Sequence, residues 1–185
     1  MKPLNNRRLI LVSGASRSGK SEYAEKLAIQ SRKTVIYVAT AKTDPQDAEW
    51  QARIELHQQR RPQDWQTLNL TDEELVKCIL QADESECWLI DSLGTWVANF
   101  LEQEESSWRS LAQNLLTSLA SSPATIMVVA EETGWGVVPA YPIGRLFRDR
   151  LGKLTREVSG IADVTYLVAA GYALDLSALG KPLDI

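Results

Sequence analysis

The stretch Gly14-Ala15-Ser16-Arg17-Ser18-Gly19-Lys20-Ser21 constrains the chain more than any other. It has the form G-x-x-x-x-G-K-[ST], and its setting matters as much as its letters. The apolar run Leu9-Ile10-Leu11-Val12 precedes it, and Glu22 to Ala28 follows with helical spacing. A strand that ends in a glycine-containing loop and runs straight into a helix aims several backbone N–H groups at one concavity. Phosphate binds there, at the positive end of the helix dipole. Lys20 is placed to reach the β/γ-phosphates and the Ser21 hydroxyl to ligate a bridging Mg²⁺. The expected ligand is a nucleoside triphosphate.

The rest of the chain supplies the sheet that such a loop needs. Thr34 to Thr40 is a second β-branched run, a few residues beyond the first helix, so the opening reads as a βαβ unit with a parallel strand pair. Trp65 to Leu70 reads as a short strand and Asp72 to Ala82 as a helix. Trp88-Leu89-Ile90-Asp91 is another buried strand, and Glu102 to Ser107 reads as a solvated acidic loop. Trp108 to Leu119 is amphipathic. Ala124 to Ala130 is the most continuous apolar run and fits a central parallel strand. After a loop from Glu131 to Pro142 come a helix, Ile143 to Ile161, and a strand, Val164 to Gly171. Strands alternate with helices and nothing marks a second unit, so residues 1–185 read as one α/β domain.

Composition excludes several function classes. With 20 basic against 24 acidic residues the net charge is −4, which argues against a nucleic-acid binder. Cys78 and Cys87 stand in unrelated contexts without C-x-x-C spacing, so a metal knot or disulfide frame is not expected. No apolar run is long enough to span a bilayer, and a cytoplasmic protein is expected.

Three further groups bear on chemistry. Asp91 closes an apolar strand downstream of the phosphate loop, where a carboxylate can hold Mg²⁺. His57 is the only histidine and shares a predicted helix face with Glu49 and Arg53; imidazole there is a nucleophile toward phosphorus, a general base or a surface residue. Glu131-Glu132 and two glycines follow a central strand, on the side of a parallel sheet where ligands bind. Arg145, Arg148 and Arg150 either meet phosphate or form a charged helix face with Asp149.

Taken in order, these pieces resemble the bifunctional adenosylcobinamide kinase / adenosylcobinamide-phosphate guanylyltransferase family of cobalamin biosynthesis. The resemblance is carried by LILVSGASRSGKSEYAE (9–25), YVATA (37–41), EWQARIELHQQRRP (49–62) with Trp65, LIDSLGTWVAN (89–99), ETGWGVVP (132–139), RLFRDRLG (145–152) and residues 162–171. It implies a P-loop NTPase fold, RecA-like, with a mostly parallel sheet covered by helices on both faces. It implies phosphorylation of adenosylcobinamide by ATP or GTP, then transfer of GMP from GTP to adenosylcobinamide phosphate, in a homo-oligomer that by analogy is a trimer.

The resemblance also assigns residues. His57 matches the histidine that carries a covalent GMP, with Arg53, Arg61 and Pro62 around it. Gly14 to Ser21 match the nucleotide phosphate site, to which Arg53, Arg61, Asp91 and Glu132 are also assigned; Ser21 and Asp91 match the metal site, Lys20 and His57 the catalytic residues, and Arg145, Arg148 and Asp149 further motif positions. The chain departs from the family pattern at Asn69, Glu131, Thr133, Ala140-Tyr141 and Thr155-Arg156. These departures leave room for a guanylyltransferase without kinase activity, or for a nucleotide-binding regulatory protein.

Overall fold

Every residue of the first strand is buried, and its side chains divide by parity. Leu9 and Leu11 enter one core, Ile10 and Val12 the other. That is what a strand covered on both faces requires, since successive side chains of a strand point to opposite sides. In the computed structural model, which describes residues 8–42, 46, 47, 52, 54, 55 and 58–183, this strand is β1 (Leu9–Gly14).

The chain continues through α1 (Lys20–Ser31), β2 (Thr34–Ala39), β3 (Gln66–Asn69), α2 (Glu74–Gln81), β4 (Glu86–Asp91) and α3 (Leu93–Ala98). It ends with α4 (Glu105–Ser121), β5 (Thr125–Glu131), α5 (Pro142–Ile161), β6 (Val164–Ala169), β7 (Tyr172–Asp175) and α6 (Leu176–Leu179). The strands form one sheet in the order β3-β2-β4-β5-β1-β6-β7. All neighbours are parallel except β6 and β7.

The two faces are covered unequally. Ala24, Leu27 and Ala28 of α1 pack on the β1, β2, β4 and β5 side chains of one face. The other face takes Leu75 and Ile79 of α2, Trp96 of α3, Leu111 and Leu115 of α4, and Leu151, Leu154 and Val158 of α5. Trp96 centres that larger core, edge-on to Phe100 at 4.9 Å and tilted against Trp108 at 6.0 Å.

Three sequence expectations change in the structure. The acidic stretch from Glu102 is not loop throughout: Glu105 opens α4, where a carboxylate favours the helix dipole and reaches Arg109 one turn on at 2.8 Å. The last strand stops at Ala169, because Ala170 (φ 51°) and Gly171 (φ 81°) form a two-residue turn that sends β7 back antiparallel. Pro142 joins its helix as the first residue, where a missing N–H costs nothing.

Cys78 and Cys87 are free thiols, and burial pushes the Cys87 thiol up to about 11. Among the described residues no helix is long and apolar enough to cross a membrane.

Candidate nucleotide site

Six parallel strands end along one edge, and that edge holds the candidate site. Gly14 ends β1 beside Val168 of β6 and beneath Ser18. A Cβ added there would lie 2.5 Å from both Val168 O and Ser18 Oγ, so the loop closes only on glycine. Arg17 (φ 59°) and Gly19 (φ 91°) take the left-handed conformation that curls the backbone, with Ser18 N–H donating to Ala15 O at 3.2 Å. Ala15, Ser16 and Arg17 remain exposed, whereas Lys20 and Ser21, on the first turn of α1, are buried. The Lys20 ammonium folds back toward Ala15 O at 3.4 Å, under the loop.

An open cleft of about 750 Å³, mouth included, lies beside this loop. Its lining includes Lys20, Ser21, Arg61, Asp91 and Glu131. Four of these come from sequence positions predicted to act together. Asp91 is held by Tyr37, whose phenol donates to Asp91 Oδ2 at 3.0 Å. The Arg61 guanidinium lies over the Tyr37 ring, 3.3 Å from its centroid. Burial, then the neighbouring Asp91 carboxylate, raises the Tyr37 phenol well beyond its ordinary range, so it remains a donor. Arg61 Nε is buried with no hydrogen-bond partner.

Arg60 anchors the same segment from the other side. It pairs with Glu22 at 2.6 Å and with the buried Glu25 at 3.1 Å, both on α1. Burial raises the Glu25 carboxyl, and Arg60 pulls it back. Residues 54, 58 and 61 therefore line the cleft. His57 and Arg53, the candidates on that segment, lie outside the described residues.

Of the two adjacent acids, the structure brings Glu131 to the cleft and not Glu132. Glu132 bonds instead to β1: its Oε1 accepts from Ser13 Oγ at 2.8 Å, and its N–H donates to Gly14 O at 3.0 Å. Glu131 turns toward α3. Ser92 Oγ donates to its Oε1 at 2.5 Å and Gly94 N–H to its Oε2 at 3.0 Å. A Cβ on Gly94 would collide with that carboxylate, which makes the glycine a requirement of the contact. Adjacent strand-end residues point to opposite sides, and the register Asp91↔Val129 puts Glu131 on the face of Asp91.

Ser92 also closes a capping box with Thr95, and Thr40 Oγ1 accepts from Ser92 N–H at 2.9 Å while donating to Ser92 O at 2.7 Å. The T-A pair after β2 and the D-S-L-G-T stretch after β4 thus form one hydrogen-bonded floor.

The arginines of α5 divide. Arg150 is built into the core: it donates to Phe100 O and Gln103 O, both at 2.8 Å, and lies 5.0 Å from the Trp108 ring centroid. Arg145 donates to Pro139 O at 3.0 Å and Ala140 O at 2.7 Å, bracing the preceding loop. Arg148 is half-buried with one unpartnered nitrogen, Nη1, and Asp149 is exposed. Thr155 lies in the core face of α5, away from the cleft lining, whereas Asn69 lines it.

Ser21 and Asp91 are hard oxygen donors in one cleft with Lys20, a set that suits a hydrated Mg²⁺ sharing ligands with phosphates. Among the described residues no group of three or more His, Cys, Asp or Glu side chains could hold a metal alone. Nucleotide oxygens would therefore have to complete the shell.

The fold is shared with solved structures of low sequence identity. A Pyrococcus horikoshii OT3 protein superposes with a TM-score of 0.57 at 6% identity, covering 96% of this chain and 88% of its own. An ATPase from the type III secretion system of pathogenic bacteria gives 0.56 at 12%, covering 93% and 53%. Curated relatives match far more closely in sequence. The bifunctional adenosylcobalamin biosynthesis protein CobP of Pseudomonas aeruginosa is 34% identical over 174 residues, 94% of this chain and 98% of its own. CobU of Escherichia coli, described in the same words, is 32% identical over 184 residues, 91% and 99%. Residues 10–176 match the family model described as cobinamide kinase / cobinamide phosphate guanyltransferase, and the chain belongs to that family.

Proposed function

We propose that this chain phosphorylates adenosylcobinamide with a nucleoside triphosphate and then transfers GMP from GTP to the resulting phosphate, giving adenosylcobinamide-GDP. The convergence of Lys20, Ser21, Asp91 and Arg61 on one cleft, in a chain of this family, carries the reading. The chain acts as a single nucleotide-binding unit in a cytoplasmic homo-oligomer.

In the kinase step, the loop N–H groups of residues 15–21 and the Lys20 ammonium bind the β- and γ-phosphates and offset the charge that grows on the transferred group. Ser21 and Asp91 would hold Mg²⁺, which would supply positive charge beside the phosphates. The γ-phosphorus leaves its bridging oxygen for the substrate hydroxyl oxygen, and the hydroxyl proton is lost. In the second step His57 attacks the α-phosphorus of GTP and pyrophosphate leaves; the substrate phosphate oxygen then displaces the histidine. Arg53 and Arg61 stabilise the bound phosphates. Glu132 shapes the mouth by fixing the strand that carries the loop, and Glu131 holds α3 at the floor.

The test is a product assay with purified protein. Adenosylcobinamide with ATP or GTP should yield adenosylcobinamide phosphate, and added GTP should convert it to the GDP derivative with release of pyrophosphate. Conversion of supplied adenosylcobinamide phosphate without any phosphorylation of adenosylcobinamide would restrict the chain to the guanylyltransferase. Nucleotide binding with neither product would leave a regulatory protein.

Tyr37→Phe probes the floor. Loss of one hydrogen bond to Asp91 should cost about 1 kcal/mol of stability. The Mg²⁺ concentration for half-maximal rate should rise several-fold while KM for adenosylcobinamide stays constant. An unchanged Mg²⁺ requirement would separate Asp91 from the metal.

A further inference from the structure

The loop between β5 and α5 is apolar, exposed and rigidly held. Trp135 is 71% exposed, Val137 95%, Val138 59% and Tyr141 76%, with Ile143 53% exposed on the first turn of α5. Residues 133–141 carry no charged side chain. A loop of this composition has no reason to stay in water unless something covers it. It is also braced: Arg145 holds the carbonyls of Pro139 and Ala140, and Gly144 lies so close to Pro139 that an added Cβ would approach its ring to 2.9 Å. A Cβ on Gly134 or Gly136 would point into open space.

Its position relative to the cleft is fixed. Glu131 lines the cleft, and Glu132 is bonded to Ser13 and Gly14 at the end of β1. Trp135 follows Glu131 by four residues, so it lies within roughly 14 Å of the cleft edge even if the chain is fully extended. The loop therefore begins at the cleft edge and stays within reach of its mouth.

Resting on the function proposed above, we infer that this loop is a platform that carries the corrin macrocycle of the substrate while its hydroxyl or phosphate arm enters the cleft. The corrin of adenosylcobinamide is a broad macrocycle rimmed by amide side chains, and its adenosyl group covers one face. The other face packs on the surface next to the mouth, against the indole of Trp135 and the phenol of Tyr141. Five side chains offer less than the roughly 800 Å² per partner of a standard protein interface. One flat ligand fits that area better than a second copy of the chain.

Trp135→Ala and Val137→Asp test this, with KM measured separately for adenosylcobinamide and for nucleotide. Both side chains are exposed, so the melting temperature should stay near that of the parent. KM for adenosylcobinamide should rise about tenfold relative to KM for nucleotide in each variant, with solution mass by light scattering unchanged. Equal KM values for adenosylcobinamide in parent and variants would overturn the platform and leave the function intact. A fall in solution mass would assign the loop to contact between copies instead. A parent protein that neither binds nor converts adenosylcobinamide would remove the proposed function, and the platform with it.

Discussion

Lys20→Ala should lower kcat/KM for phosphoryl transfer by about 10²–10³-fold, the usual loss when one preorganised donor is removed from a developing charge. The reason is location. Lys20 is buried on the first turn of α1, and its ammonium lies under the loop with a long 3.4 Å contact to Ala15 O. That contact is too weak to hold the loop closed. The loop is set by Gly14 against Val168, by the left-handed Arg17 and Gly19, and by the Ser18–Ala15 bond. The variant should therefore fold normally and still present its N–H groups. Turnover with ATP or GTP alongside thermal melting checks this: a normal melt with collapsed turnover is expected, and near-normal turnover would remove Lys20 from the phosphate site.

Arg150→Leu should be the most destabilising of the single changes considered, by roughly 3 kcal/mol. Its guanidinium satisfies the buried carbonyl of Phe100 and the part-buried one of Gln103, and lies near Trp108, with Glu105 at 3.5 Å beyond. Leucine fills part of the volume but leaves the Phe100 acceptor dry and the Gln103 acceptor half-covered, at about 1–3 kcal/mol each less what the apolar swap regains. Urea unfolding measures it directly. A loss below about 1 kcal/mol would mean that water reaches those carbonyls once the arginine is gone.

Arg150 also shows where sequence reading runs out. In the string it stands beside Arg145, Arg148 and Asp149 and looks like one more surface charge. Nothing in the spacing says that the chain at Phe100–Gln103 leaves carbonyls facing α5. The phosphate loop was legible because its function is backbone geometry, and glycine positions encode backbone geometry locally. Strand existence was legible for the same local reason, in unbroken apolar runs at β1 and β5 and the β-branched run at β2. Strand order was not, since it depends on crossovers between distant segments. Glu131 and Glu132 fall between these cases. Their proximity to the site was readable, but which one faces the cleft depends on where β5 ends. Tyr37 opens the YVATA stretch, but that stretch names no partner for it, and only the register Ala39↔Asp91 brings its phenol to the proposed metal-site acid.

The most direct test of the account concerns His57. Purified protein incubated with Mg²⁺ and GTP labelled at the α-phosphate should retain acid-labile, alkali-stable label, the behaviour of a phosphoramidate. His57→Ala should bind GTP and retain none. Adding adenosylcobinamide phosphate to the labelled parent should discharge the label into adenosylcobinamide-GDP. Folded parent protein that binds GTP yet takes up no label, or a His57→Ala variant that labels equally, would contradict the two-step transfer.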